Sequence, residues 1–146
     1  MEPEACAARL GDASAIARIS RASFPDPWPE GLFHNQLRRR ETRTWVARDT
    51  RKGVVGYVLG WRVLDEVQVL SLAVDPSSRR RGVGRALLNA YLETLRSEGV
   101  REITLEVRAS NSVAHEFYRE FGFEVQGARP RYYPGGETAV LLGAQL

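Results

Sequence analysis

The chain has 146 residues, 43% of them hydrophobic and 27% charged, with a net charge of +3. That size suits one domain over 1–146, and the charge is only a mild bias toward anionic ligands, too small to mark a nucleic-acid binder. The single cysteine, Cys6, excludes an internal disulfide framework, and no apolar run approaches the ~20 residues of a membrane-spanning helix.

Glu2, Glu4 and Arg9 interrupt the start, so no signal peptide is expected and the cytoplasm is the expected location. Ala5 to Arg9 reads as a short first strand. Gly11-Asp12 turns the chain, and Asp12 is the N-cap candidate of a helix through Ser23, with Ile16 and Ile19 on its apolar face. The prolines of Phe24-Pro25-Asp26-Pro27-Trp28-Pro29 cannot lie inside a helix; they make a stiff loop that holds Phe24 and Trp28. Leu32, Phe33, Gln36 and Leu37 have helical spacing and predict a second helix from Pro29 or Glu30 to Arg39. Arg38-Arg39-Arg40 suits that helix's C-terminus and reads as a solvated face.

Strands are predicted over Thr42–Arg48, Val54–Arg62 and Glu66–Val74, with turns at Lys52-Gly53 and Asp65. Their close succession implies an antiparallel meander. A helix over 84–98 stops at Gly99, a natural left-handed terminator. Glu102 to Arg108 alternates, with Ile103, Leu105 and Val107 facing one way and Thr104, Glu106 and Arg108 the other. Strand, helix, strand makes the pair 66–74 and 102–108 parallel. Asn111 or Ser112 caps a fourth helix carrying Ala114, Phe117, Tyr118 and Phe121 on one face, closed by Gly122. Phe123–Arg129 and Thr138–Gln145 are the last strands, joined through Tyr132-Tyr133-Pro134-Gly135-Gly136. The order β-α-α-β-β-β-α-β-α-β-β is an α/β fold, a seven-stranded mixed sheet with helices on both faces.

The most informative stretch is Arg79-Arg80-Arg81-Gly82-Val83-Gly84-Arg85-Ala86, between a strand and a helix. Glycine lets the backbone approach a ligand and adopt positive φ. The free amides and dipole of a helix N-terminus attract an anion, and arginine adds charge-assisted hydrogen bonds. The loop reads as a pyrophosphate cradle, or as a basic helix start with a flexible turn. It is neither a nucleotide-hydrolase loop, since no Gly-Lys-Ser/Thr follows, nor the dinucleotide fingerprint, since Leu87 stands where a third glycine belongs.

With this element order, the Arg79-x-x-Gly82-x-Gly84 loop resembles that of the GCN5-related N-acetyltransferase (GNAT) superfamily. Leu70-Ser71-Leu72-Ala73-Val74-Asp75-Pro76, Leu105-Glu106-Val107-Arg108-Ala109-Ser110-Asn111, Phe117-Tyr118-Arg119-Glu120-Phe121-Gly122-Phe123 and Arg131-Tyr132-Tyr133-Pro134 are similar to the ribosomal-protein-alanine N-acetyltransferases within it. Phe24-x-x-Pro27-Trp28 matches that group's Phe-Pro-Trp loop, lengthened by Asp26-Pro27.

The resemblance implies transfer of an acetyl group from acetyl-CoA to a protein N-terminal amine, by direct attack in a ternary complex. It implies a sheet splayed between strands four and five, with Leu72, Ala73 and Val74 beside the pantetheine arm. The loop of Arg79, Arg80, Arg81, Gly82, Val83, Gly84, Arg85 and Ala86 takes the pyrophosphate, with the backbone of 81–86 offering the amide donors. A backbone N–H near Leu72 or Ala73 polarises the thioester carbonyl. The resemblance makes Glu106 the base; the residues alone favour an exposed strand carboxylate paired with Arg108. It makes Tyr118 the acid beside the cofactor, where its helical stripe alone reads as core. Asn111 binds the cofactor arm or caps the helix. Phe24 and Trp28 form one wall for the acceptor, and Tyr132 and Tyr133 the other.

A small first residue such as alanine, on a small-subunit ribosomal protein, is the implied acceptor. The alternatives are a broader peptide N-terminal, lysine or small-amine acetyltransferase, a non-catalytic acyl-CoA-binding module and, last, a basic RNA-binding module. No Cys/His cluster suggests a metal, and neither Cys6 nor the pair His34 and His115 has the neighbours of a nucleophile.

Overall fold

The structure, a computed structural model, describes residues 3–146. Its elements are β1 (Glu4–Ala7), α1 (Ala13–Ser23), α2 (Glu30–Leu37), β2 (Thr42–Asp49), β3 (Gly53–Val63), β4 (Glu66–Val74), α3 (Val83–Ser97), β5 (Glu102–Arg108), α4 (Ser112–Arg119), β6 (Glu124–Arg129) and β7 (Ala139–Gln145). One sheet holds all the strands in the order β1-β2-β3-β4-β5-β7-β6. Among the described residues only β4 and β5 pair in parallel. This mixed sheet follows the element order read from the sequence. No helix among the described residues is long and apolar enough to cross a membrane.

Alternation along the strands makes two cores, one on each face. Tyr57, Leu59 and Ala73 meet Ile16, Ile19 and Phe33 of α1 and α2. Val58, Val67, Val69, Ile103 and Leu105 meet Leu87, Leu88 and Tyr91 of α3 and Tyr118 of α4. The helices terminate as their glycines require. Gly99, at φ +88°, lets its own N–H reach the Arg96 carbonyl at 3.1 Å and that of Val100 reach Leu95 at 3.0 Å.

Several local expectations shift. β1 stops at Ala7, because a 3-10 turn over Leu10–Asp12 follows instead of more strand. α2 ends at Leu37 rather than Arg39, and β6 and β7 each begin one residue later than the sequence implies. Asp12 stands at the N-cap position of α1 but does not cap it. Its carboxylate turns back to accept the Arg9 N–H at 2.8 Å and pairs through both oxygens with Arg48 at 3.1 and 2.8 Å. A guanidinium fork outbids a neutral helix amide for a buried carboxylate.

One irregularity positions everything that follows. Gly60 pairs with Val69 and Leu59 with Ser71, so Leu70 is an extra residue on β4. The bulge reverses the strand's phase. Val67 and Val69 face the α3–α4 core, whereas Ala73 faces the α1–α2 core. Pairing with β5 stops at the same point, with Val69 opposite Leu105 as the last pair. β4 stays zipped to β3 as far as Val74, so beyond Leu70 it parts from β5.

Gly60 is what allows this packing. A Cβ there would sit 2.7 Å from the Tyr91 hydroxyl, 2.9 Å from Val67 Cγ1 and 3.0 Å from the Gln68 carbonyl. Tyr91 is held in turn by donating to the Arg43 carbonyl at 2.8 Å. Gly60→Ala should therefore cost about 2 kcal/mol, within the range for an overpacked core. A urea titration should show a lower midpoint with an unchanged slope; an unaltered midpoint would mean that Tyr91 moves freely.

Candidate active site

The parting of β4 from β5 opens a cleft of about 350 Å³ that passes through the sheet. From the α3–α4 side it is lined by Leu72, Leu105, Val107, Ala114 and Tyr118. From the α1–α2 side it is lined by Leu70, Glu106, Tyr133 and the loop from Phe24 to Trp28.

β4 presents an unpaired edge to this cleft. The Asp75 N–H donates to the Val55 carbonyl at 2.7 Å, so the backbone groups of Asp75, Ala73 and Ser71 point at β3. Strand alternation then turns the N–H and C=O of Leu72 and Val74 toward the gap. The Val74 carbonyl is accordingly free to accept from Arg79 Nε at 3.0 Å. This removes Ala73 as a source of backbone donors in the gap, and leaves Leu72.

The glycine loop lies at the end of that edge. Gly82, at φ +78°, is the N-cap of α3 in the left-handed region. The Ala86 N–H is already bonded to the Gly82 carbonyl at 3.0 Å, so it is not a spare donor. The amides of Arg81, Gly82, Val83, Gly84 and Arg85 have no acceptor among the described residues. A Cβ on Gly84 would touch Val74 Cγ2 at 3.5 Å and the Phe117 ring at 3.6 Å. Two of the arginines are occupied within the protein. Arg79 also donates to Ser23 Oγ at 3.0 Å, tying the loop to the end of α1. Arg85 pairs with Glu120 at the C-terminal end of α4. Only Arg80 and Arg81 extend from the loop without a partner among the described residues.

Glu106 is on the α1–α2 face of β5, as alternation predicts, but it is not paired with Arg108. Its side chain is only 11% exposed, and Oε1 lies 3.8 Å from Arg129 Nη1. Oε2 is buried with no hydrogen-bond partner among the described residues. Arg108 reaches away instead, to Asp26 and Glu137. Arg129 carried no local signal in the sequence, because β6 reaches Glu106 only through its pairing to β7.

Tyr118 is buried in the α3–α4 core, edge-on to Phe117 and Phe123 at 5.1 and 5.4 Å. Its hydroxyl nonetheless has no hydrogen-bond partner among the described residues, and the residue lines the cleft. Burial, and secondarily the nearness of Tyr57, push its phenol well above the ordinary tyrosine range. Asn111 does cap α4, with Oδ1 accepting the Ala114 N–H at 3.1 Å, and also lines the cleft.

The aromatic walls are only partly as the sequence suggests. Phe24, Trp28 and Tyr133 line the cleft, and Trp28 is braced by Phe33 at 5.3 Å. Tyr132 does not; it is 51% exposed and turned outward beneath Arg129. Burial, then the Glu106 carboxylate, raise the pKa of Tyr133, so its hydroxyl stays protonated beside that acid.

A strand edge with a free amide at Leu72, a helix N-terminus at its end and a cleft lined from both faces of the sheet make a place where two reactants could meet. Residues 13–123 match the family described as the acetyltransferase (GNAT) family, and the chain belongs to it. It is 34% identical to the ribosomal protein bS18 alanine N-acetyltransferase of Salmonella typhimurium, with 92% of each chain covered. It is 34% identical to an N-alpha-acetyltransferase of Sulfurisphaera tokodaii, over 95% of this chain and 90% of that one. Its structure matches the crystal structure of the ribosomal-protein-S18-alanine N-acetyltransferase from Escherichia coli with a TM-score of 0.92 and 30% identity, covering 99% of this chain and 94% of that chain.

The family uses acetyl-CoA, and the residues present fit such a group: free amides at 81–85 for the anionic end, and the Leu72 and Val74 edge for an amide-bearing arm. Gly84→Trp would fill the space between β4 and α4. It should weaken CoA binding at least about a hundredfold by calorimetry, against a bound affinity set by contacts to preorganised donors. Unchanged binding, with unaltered circular dichroism, would move the anion site elsewhere.

Proposed function

We propose that this enzyme acetylates the α-amine of a protein whose first residue is small, alanine above all. The natural acceptor is the N-terminus of a small-subunit ribosomal protein, which makes the cytoplasm its place of work. The observation that carries this reading is the pair of unpartnered groups facing one cleft from opposite sides of the sheet. They are Glu106 Oε2 on the α1–α2 side and the Tyr118 hydroxyl on the α3–α4 side. The similarity to enzymes named for N-terminal alanine acetylation supports the same acceptor.

Acetyl-CoA supplies the acyl group as a thioester. The amides of 81–85 bind its pyrophosphate, with Arg80 and Arg81 adding charge, and the β4 edge aligns its arm. The Leu72 N–H is the donor aimed into the gap where the thioester carbonyl belongs. Asn111 has its amide nitrogen left for the same arm. The acceptor enters between the Phe24–Trp28 loop and Tyr133.

Glu106 Oε2 takes the proton that the acceptor ammonium must lose before it can attack. An α-amine has a pKa of about 7.7–8.0, against about 10.4 for lysine, so a modest base such as a carboxylate, directly or through one water, has less to overcome with the former. Tyr118 donates a hydrogen bond to the sulfur as it leaves. Its raised pKa keeps the proton in place until negative charge appears there, and makes hydrogen bonding more important than full transfer. The lining of the cleft holds no cysteine, and its serines are engaged, Ser20 and Ser71 with the Tyr57 hydroxyl and Ser23 with the Ile19 carbonyl, which favours direct attack over an acyl-enzyme.

Glu106→Gln and Tyr118→Phe should each lower kcat by roughly 10²-fold or more while CoA affinity is retained. A normal kcat in either variant would remove that residue from the reaction. The acceptor is tested with a peptide bearing a free N-terminal alanine and an internal lysine. Tandem mass spectrometry should find the acetyl group on the α-amine. Acetyl on the lysine would overturn the acceptor while keeping the chemistry.

A further inference from the structure

We infer that Arg108 determines acceptor specificity, by tying the two walls of the acceptor channel together at a fixed separation. This deepens the α-amine reading above and rests on it. Arg108 is the last residue of β5 and lies on the same strand face as Glu106. Its guanidinium makes three contacts of different kinds. Nη2 is 3.6 Å from Asp26 in the proline-rich wall. Nη1 is 3.3 Å from Glu137, on the opposite wall. The Cζ atom lies 4.2 Å from the centroid of the Tyr133 ring.

The second wall is itself braced. Glu137 accepts the Ser110 N–H at 2.8 Å through its side chain and the Tyr133 N–H at 3.1 Å through its carbonyl. Asp26 has no other ion-pair partner among the described residues. One planar cation therefore carries the link across the channel. Only an arginine can do this, since a lysine offers neither the fork for two carboxylates nor the flat face for a ring.

Walls held at fixed separation exclude a larger first residue; walls released from each other yield to it. In a rigid pocket one methylene is worth about 10–200-fold in kcat/KM, and a loosened pocket loses that discrimination. Arg108 is thus a positioning residue that acts through Asp26, Tyr133 and Glu137.

The test compares kcat/KM for two peptides that differ only in starting with alanine or leucine. In Arg108→Ala the alanine-to-leucine ratio should fall about tenfold or more, with the KM for acetyl-CoA unchanged. Arg108→Lys should not restore the ratio, and Asp26→Asn, which frees one wall, should give an intermediate value. Parallel loss on both peptides, or rescue by lysine, would overturn the proposal. If the wild-type enzyme acetylates neither peptide, the α-amine reading fails, and hydrogen exchange then decides the clamp alone. The amides of Ser110, Tyr133 and Gly136 should exchange faster in Arg108→Ala; unchanged exchange would overturn it.

Discussion

The site depends on one extra residue. Leu70 bulges from β4 against β3, and the strand's phase and direction change there. Had β4 run on regularly, its backbone would have continued pairing with β5, and the groups of Leu72 and Val74 would be spent on the sheet. The bulge leaves them unclaimed by β5, and although the Val74 carbonyl accepts from Arg79, an amide-bearing ligand can complete the ladder at Leu72 in the cleft. A backbone edge without protein partners in a half-buried gap favours a group that supplies the missing hydrogen bonds. The close seating of Gly60 under Tyr91 holds the neighbouring strand in the shape that the bulge requires.

Splitting the sheet also separates two chemistries. The α3–α4 side is apolar, with a free phenol at its edge and a helix N-terminus beyond. The α1–α2 side carries a nearly buried carboxylate beneath aromatic and proline walls. In the proposed reaction an anionic cofactor and a cationic acceptor approach from these opposite sides and meet where the strands part. Neither has to pass the other, as a ternary complex requires. Burial serves both groups in different ways. It holds the Tyr118 proton in place, and it leaves Glu106 Oε2 without a hydrogen-bond partner among the described residues.

The arginines show why charge cannot be read as a list. Of the cluster at 79–85, Arg79 is a strut between β4 and α1 and Arg85 is paired across to the C-terminal end of α4. The backbone of the loop, rather than its most conspicuous side chains, offers most of the donors. Arg108, two residues from the proposed base, looks in sequence like its ion-pair partner. It is drawn off instead by two carboxylates and a ring from distant segments.

Local patterns were enough to read the elements. Period-two and helical spacing, proline exclusions and left-handed glycines at 82, 99 and 122 are properties of a few consecutive residues, and the folded chain keeps them. The same holds for the face on which Glu106 lies and for the cap made by Asn111. What only the tertiary structure decided were quantities set by register between strands far apart in the chain. These are the bulge at Leu70, the last pair at Val69 and Leu105, the turning of Ala73 away from the gap and of Tyr132 away from the cleft, and the nearness of Arg129 to Glu106. A strand's sequence states which residues share a face. It does not state where its neighbour stops pairing with it, because that depends on the packing of the whole sheet between two layers of helices.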